Sequence, residues 1–124
     1  MSNDVFYGVM IEDTAVRSWS YHGNQLTFDL EASLWPGNPH YQSPRPDEWT
    51  CYKPATLTFV QVASVTGLKD MAEVSPIVDP NGTVDYGTLD SIELAPPIYR
   101  LYGPFGDVTI RATELHFVIQ PGTD

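Results

Sequence analysis

The sequence predicts an all-β, mainly antiparallel fold: a β-sandwich or flattened barrel of about seven to nine strands, with at most one short helix near residues 68–74. Three observations lead there. No segment sustains a helical period. Apolar and polar residues alternate with a period of two, most clearly in "QLTFDLEASLW", where Leu26, Phe28, Leu30, Ala32 and Leu34 alternate with Thr27, Asp29, Glu31 and Ser33. The alternating stretches are separated by Gly, Pro and Asn clusters of the kind that make turns. A chain of 124 residues with 42% hydrophobic content fits one β-rich domain over residues 1–124 with its own core.

Taken in order, "VFYGVMI" (residues 5–11) reads as a first strand. "TAVRSWSY" follows, then "HGNQ", then the alternating segment from Gln25 to Trp35. If Gly23-Asn24 is a two-residue hairpin loop, the register is fixed. Tyr21 then lies opposite Leu26, Trp19 opposite Phe28 and Arg17 opposite Leu30. On the other face Ser20 meets Thr27, and Ser18 meets Asp29. Agreement between turn and pattern supports the hairpin. It also sets Arg17 on the apolar face, so that end of the face is open to water or Arg17 pairs with an acid, because a buried unpaired guanidinium is too costly.

Residues 55–65, "ATLTFVQVASV", are β-branched and mostly apolar, as suits a central strand. Leu68, Met71 and Ala72 have helical spacing, and Pro76 limits any helix there to a turn or two. "DPNG" (79–82) suits a type I turn joining "PIV" to "TVDYG" in a short hairpin. "LDSIELA" and "IYRLYG" form two further strands around Pro96-Pro97. In "DVTIRATELHFVIQ", Val108, Ile110 and Ala112 share one parity and Leu115, Phe117 and Ile119 the other. A β-bulge near Thr113-Glu114 would return all six to one face.

Sixteen acidic against six basic residues give a net charge of −10, with the acids scattered from Asp4 to Asp124. That describes a solvated acidic surface rather than an acidic tail. It opposes binding to nucleic acid or to an anionic membrane, which needs clustered Lys and Arg, and it attracts a basic partner. "MSNDVFYGVMIED" has neither a basic region nor a long apolar core, so a signal peptide is not expected. No apolar run is long enough to span a bilayer, and Cys51 is the chain's one cysteine. These features together point to the cytoplasm.

Phosphate loops, GxGxxG, GxSxG, HExxH and paired CxxC motifs are absent, which speaks against the common enzyme classes. Cys51 and His40 flank Asp47 and Glu48, the residue types of a thiolate with base and orienting acid, but a free cysteine beside a buried strand more often packs. Asp79, Asn81, Asp85 and Asp90 offer oxygen ligands for calcium. The spacing is not that of an EF-hand, and the turn needs these residues for its backbone alone. His22, His40 and His116 are too dispersed for zinc. Asp29 and Glu31 share a strand face, as a hydrolase's acid pair might across a cleft, though exposed acids more often solubilise. No metal, cofactor or catalytic residue is assigned.

The best candidate is "WPGNPHYQSPRPDEWTCYKP", residues 35–54, which holds five of eleven prolines and two of three tryptophans. Trp35, His40, Tyr41, Trp49 and Tyr52 are its candidate binding residues. Prolines stiffen such a loop and lower the entropy cost of binding with it, and aromatics so placed can stack on a sugar or anchor a protein. The alternative is that Trp35 and Tyr52 end strands and the loop folds back as a lid on the core.

"DYGTLDSIEL" followed by "YRLYGPFGDVTIRATEL", with a fainter echo in "LWPG…CY…LTF", resembles the ending of small acidic bacterial β-rich proteins of unknown function. Some proteins of that style neutralise toxins delivered by competing bacteria. The resemblance is one of strands and turns, and it carries no functional residue over. It implies a non-enzymatic cytoplasmic domain. The leading expectation is therefore a non-catalytic β-sandwich that binds a basic protein partner, with immunity-type neutralisation as its specific form. A small-ligand or carbohydrate-binding module using the 35–54 loop is the alternative, and a hydrolase a minor one.

Overall fold

The computed structural model describes residues 5–44, 46, 48, 50–80 and 82–120. Their strands are β1 (Ala15–His22), β2 (Gln25–Leu34), β3 (Cys51–Thr66), β4 (Ile77–Val78), β5 (Val84–Asp85), β6 (Ser91–Ala95), β7 (Ile98–Gly103) and β8 (Gly106–Ile119). Two 3-10 turns, Ile11–Asp13 and Met71–Glu73, complete the elements. Six strands make one antiparallel sheet in the order β1-β2-β3-β8-β7-β6, and β4 and β5 pair as a separate small hairpin.

The large sheet curls until its ends meet. Val16 donates its amide to the Gly87 carbonyl, Tyr86 donates to Val16, and Leu89 donates to Thr14. Residues 86–89 run directly into β6, so the outer edge of β1 is bonded to the chain that becomes the opposite edge strand. The result is a flattened barrel with a seam between the start of β1 and residues 86–89, just before β6.

Its interior follows from the alternation. Leu26, Phe28, Leu30, Ala32 and Leu34 of β2 are all fully buried, as are Leu57 and Phe59 of β3. Phe28, Phe59 and Phe105 are the largest of the wholly enclosed side chains. Phe28 and Phe105 approach with ring centroids 4.8 Å apart, and Trp19 meets Phe105 edge-on at 5.9 Å. Phe105 comes from the β7–β8 turn and plugs one end of the barrel. Lys69 donates its amide to the Phe105 carbonyl, and the Trp19 indole donates to the Lys69 carbonyl at 2.7 Å, so residues 67–69 are drawn across that end.

The first hairpin has the register the sequence implies, with Tyr21 opposite Leu26, Trp19 opposite Phe28 and Ser18 opposite Asp29. Arg17 differs. A bulge between Val16 and Ser18 puts Val16 opposite Leu30 and frees Arg17 to turn outward. Its guanidinium lies 3.7 Å from Glu31, with both side chains substantially exposed. The extra residue relieves the cost of a cation inside.

The phase slip in β8 falls where the pattern places it, but its form is different. Phe59 faces Leu115 and Val62 faces Ala112, so both strands slip together across Val60-Gln61 and Thr113-Glu114. Gln61 absorbs the change with φ of +53°, the one non-glycine described in the left-handed region. The Val62 amide then turns to the Asn24 carbonyl of the first hairpin turn. The register shift itself comes one step later, between Val62 and Ser64 of β3.

Residues 5–11 are not a strand. Val9 donates to Phe6 in a turn, Gly8 has φ of +75°, and the segment meets the end of β2 in one isolated bridge, Val9 opposite Leu34, with Met10 donating to the Ser33 carbonyl and the Gly8 carbonyl accepting from the Trp35 amide. A side chain at Gly8 would meet Asn38 at 2.6 Å, so the chain turns where a close approach demands glycine. The central strand begins earlier than its apolar run, at Cys51, and takes in Pro54. Proline is tolerated there because its ring nitrogen faces β8 at the point where β8 ends. Only Gln120, just past β8, reaches the Pro54 carbonyl.

Candidate functional site

The 35–54 loop is a stapled structure. Asn38 is buried, and its side-chain amide donates to the Tyr7 carbonyl while its oxygen accepts from the His40 amide, both at 2.8 Å. Tyr41 donates its amide to the Asn38 carbonyl and packs its ring against the core. Further along, the Gln42 amide donates to the Cys51 sulfur at 3.4 Å, and the buried Lys53 ammonium donates to the Gln42 side chain at 2.7 Å. Thr50 donates its hydroxyl to the Leu34 carbonyl, and the Tyr52 phenol donates to Asp13 at 2.7 Å.

The five candidate binding residues therefore separate. Tyr41 and Tyr52 serve the loop's attachment. His40 and Trp35 are exposed, Trp35 by 53%. Trp49 lies outside the described residues. The structure thus brings both readings of the loop together: Asn38 and Tyr41 lie down on the core and Trp35 stands out.

Trp35 joins a site that the alternation did not reveal. Its amide donates to the Gly8 carbonyl, which fixes it beside Tyr7. Tyr7 is 64% exposed, and its hydroxyl lies over Gly37, where an added Cβ would come within 3.1 Å. These residues line one side of a cleft of about 600 Å³. Val9, Met10, Ile11 and Glu12 form its floor and rim, and Asp90, Ser91 and Ile92 face them from the start of β6. The cleft is the continuation of the seam. As far as Leu89 the two edges are bonded; from Asp90 on they diverge. Glu12 and Asp90 are both exposed, and among the described residues no Lys or Arg lines the cleft.

Tyr7 was hidden in the sequence because "VFYGVMI" has the composition of a strand. The adjacent pair Phe6-Tyr7 carries the signal: Phe6 is buried against Phe117, ring centroids 4.9 Å apart, and Tyr7 points out. In the sequence Asp90 stands out only as an oxygen ligand near Asp79, Asn81 and Asp85.

The other chemical groupings are used locally. Cys51 is buried with its sulfur accepting a backbone amide. Asp79 accepts from the Thr83 hydroxyl at 3.0 Å inside its own turn, and Asp85 accepts from the Gly87 amide. Asn81 lies outside the described residues. Among the described residues, no three His, Cys, Asp or Glu side chains gather as a metal site. Asp29 accepts from the Ser18 hydroxyl at 2.8 Å. Glu31 has its carboxyl pushed up from the usual range, first by burial and then by the acids Glu48, Asp85 and Asp79, with Arg17 opposing. Burial likewise raises the Tyr99 phenol.

Among the described residues, no helix is long and apolar enough to cross a membrane. Compared with protein-family models, with curated proteins and with solved structures, the chain matches none.

Proposed function

We propose that this chain is a non-catalytic, cytoplasmic binding protein whose target is a basic protein, in the manner of an immunity protein that neutralises a toxin. One observation carries the reading: Trp35 and Tyr7 stand exposed beside a cleft whose charged lining residues among those described, Glu12 and Asp90, are both acidic. Aromatic side chains are the usual anchors of protein interfaces. The net charge of −10 adds a long-range attraction that speeds encounter with a cation.

The test is a fluorescence and calorimetric titration with two probe sets, Lys/Arg-rich peptides and neutral oligosaccharides. Peptide binding is expected to weaken as sodium chloride rises from about 20 to about 300 mM, because the Debye length falls below the span of the charged rim. Trp35→Ala is expected to remain folded and to lose that binding. A saturable, salt-independent response to oligosaccharides alone would instead support the carbohydrate-binding alternative.

A further inference from the structure

β6 is the last strand of the sheet, paired on one side with β7 alone. Among the described residues, no backbone hydrogen bond from outside the β6–β7 pair reaches Ser91–Ala95. An antiparallel edge presents alternate N–H and C=O groups outward, a template for one more strand. Natural sheets usually blunt such an edge with Lys, Pro or a bulge. "SIELA" contains neither Lys nor Pro, and its pairing with β7 runs without a register shift. Glu93 is its one charge.

The contrast with the adjoining backbone is informative. Residues 86–89 are the same continuous edge, and β1 covers them. The cover stops at Leu89, and the cleft begins at Asp90. The open edge therefore faces a cavity rather than bulk solvent at its first residues. Glu12 and Asp90 line that cavity, Glu93 follows on β6 opposite Arg100 of β7, and among the described residues no basic side chain lines the cleft.

We propose that β6 is a receptor edge for an extended, basic segment of the partner protein, which adds as a further strand beside Ser91–Ala95 with its cationic side chains toward Glu12, Asp90 and Glu93. This rests on reading the cleft as the site for a basic partner, and it specifies how that partner is held: main-chain bonds give affinity and the acidic rim gives selectivity. A second copy of this chain is a poor occupant, because pairing edges would bring together two chains of charge −10.

The experiment uses the whole chain, isotope-labelled for NMR, with a pool of octapeptides bearing Lys or Arg at alternate positions and Val, Thr or Tyr between. A second pool carries the same sequences with alternate backbone N-methylation. Strand addition predicts intermolecular Hα–Hα contacts between peptide and Ser91–Leu94, and binding by the first pool at least tenfold tighter than by the second. The double variant Asp90→Asn/Glu93→Gln, at two exposed positions, is expected to weaken the first pool about two- to tenfold at low salt. Equal binding by both pools overturns strand addition while leaving the cleft a cation site. Binding by neither pool overturns both readings. Concentration-dependent dimerisation that protects the β6 amides would assign the edge to a second copy and overturn the proposal.

Discussion

Glu31 shows how a single residue's setting decides its contribution. Burial and neighbouring acids raise its carboxyl despite Arg17 at 3.7 Å. A carboxyl with a raised folded pKa favours the folded state fully below its unfolded pKa, and that advantage is lost as pH rises through the folded value. At pH 7 its charge is thus a mild burden, diluted because the side chain is 39% exposed. Glu31→Gln is expected to raise Tm by about a degree or two at pH 7, with the gain vanishing near pH 3.5. Thermal melts of the two proteins at both pH values check this. At this scale the sequence was only partly legible. The pairing of Arg17 with an acid could be inferred from cost alone, but the bulge that turns it outward could not, because "AVRSW" alternates as well with the bulge as without it. Tyr7 and Trp35 are far apart in the chain, and only the turn at Gly8 brings them together.

Among the elements, β3 and β8 form the longest pairing, and the pair bends at Gln61. A left-handed conformation costs an L-residue about 1–2 kcal/mol, and glycine's greater loss of freedom returns about half of that. Gln61→Gly is therefore expected to stabilise the protein by about 0.5–1 kcal/mol, measurable as a shift in urea midpoint with unchanged slope. The parity change between Ala112 and Leu115 was visible in the sequence because both halves of β8 are strongly apolar on one side. Its sharing with β3 was not, since "FVQVASV" is apolar enough to fit either phase. The first hairpin was legible from its turn out to the Ser18–Asp29 pair because turn and alternation agree there, and the Val16–Ser18 bulge breaks the reading beyond it. The β2–β3 connection was legible only in length and stiffness: Asn38, Gln42 and Thr50 hold it by hydrogen bonds whose partners are distant in sequence.

For the molecule as a whole, the all-β class followed from period-two patterning, whereas the choice between a sandwich and a flattened barrel did not, because it depends on residues 14–16 meeting residues 86–89. That closure has a consequence for assembly. The hairpins β1–β2, β6–β7 and β7–β8 are local and form early, but the seam joins positions about seventy residues apart. It is also narrow, resting on the amides of Val16, Tyr86 and Leu89. The molecule is in effect a belt with one buckle, expected to fasten late in folding and to slip first. Hydrogen exchange is expected to show it: these three amides should open with little denaturant dependence, while those of β3 and β8 exchange only through global unfolding. The buckle adjoins the open edge of β6, so a strand laid there would lengthen the fastened seam, and the protein's most readily sampled opening would report whether its partner is bound.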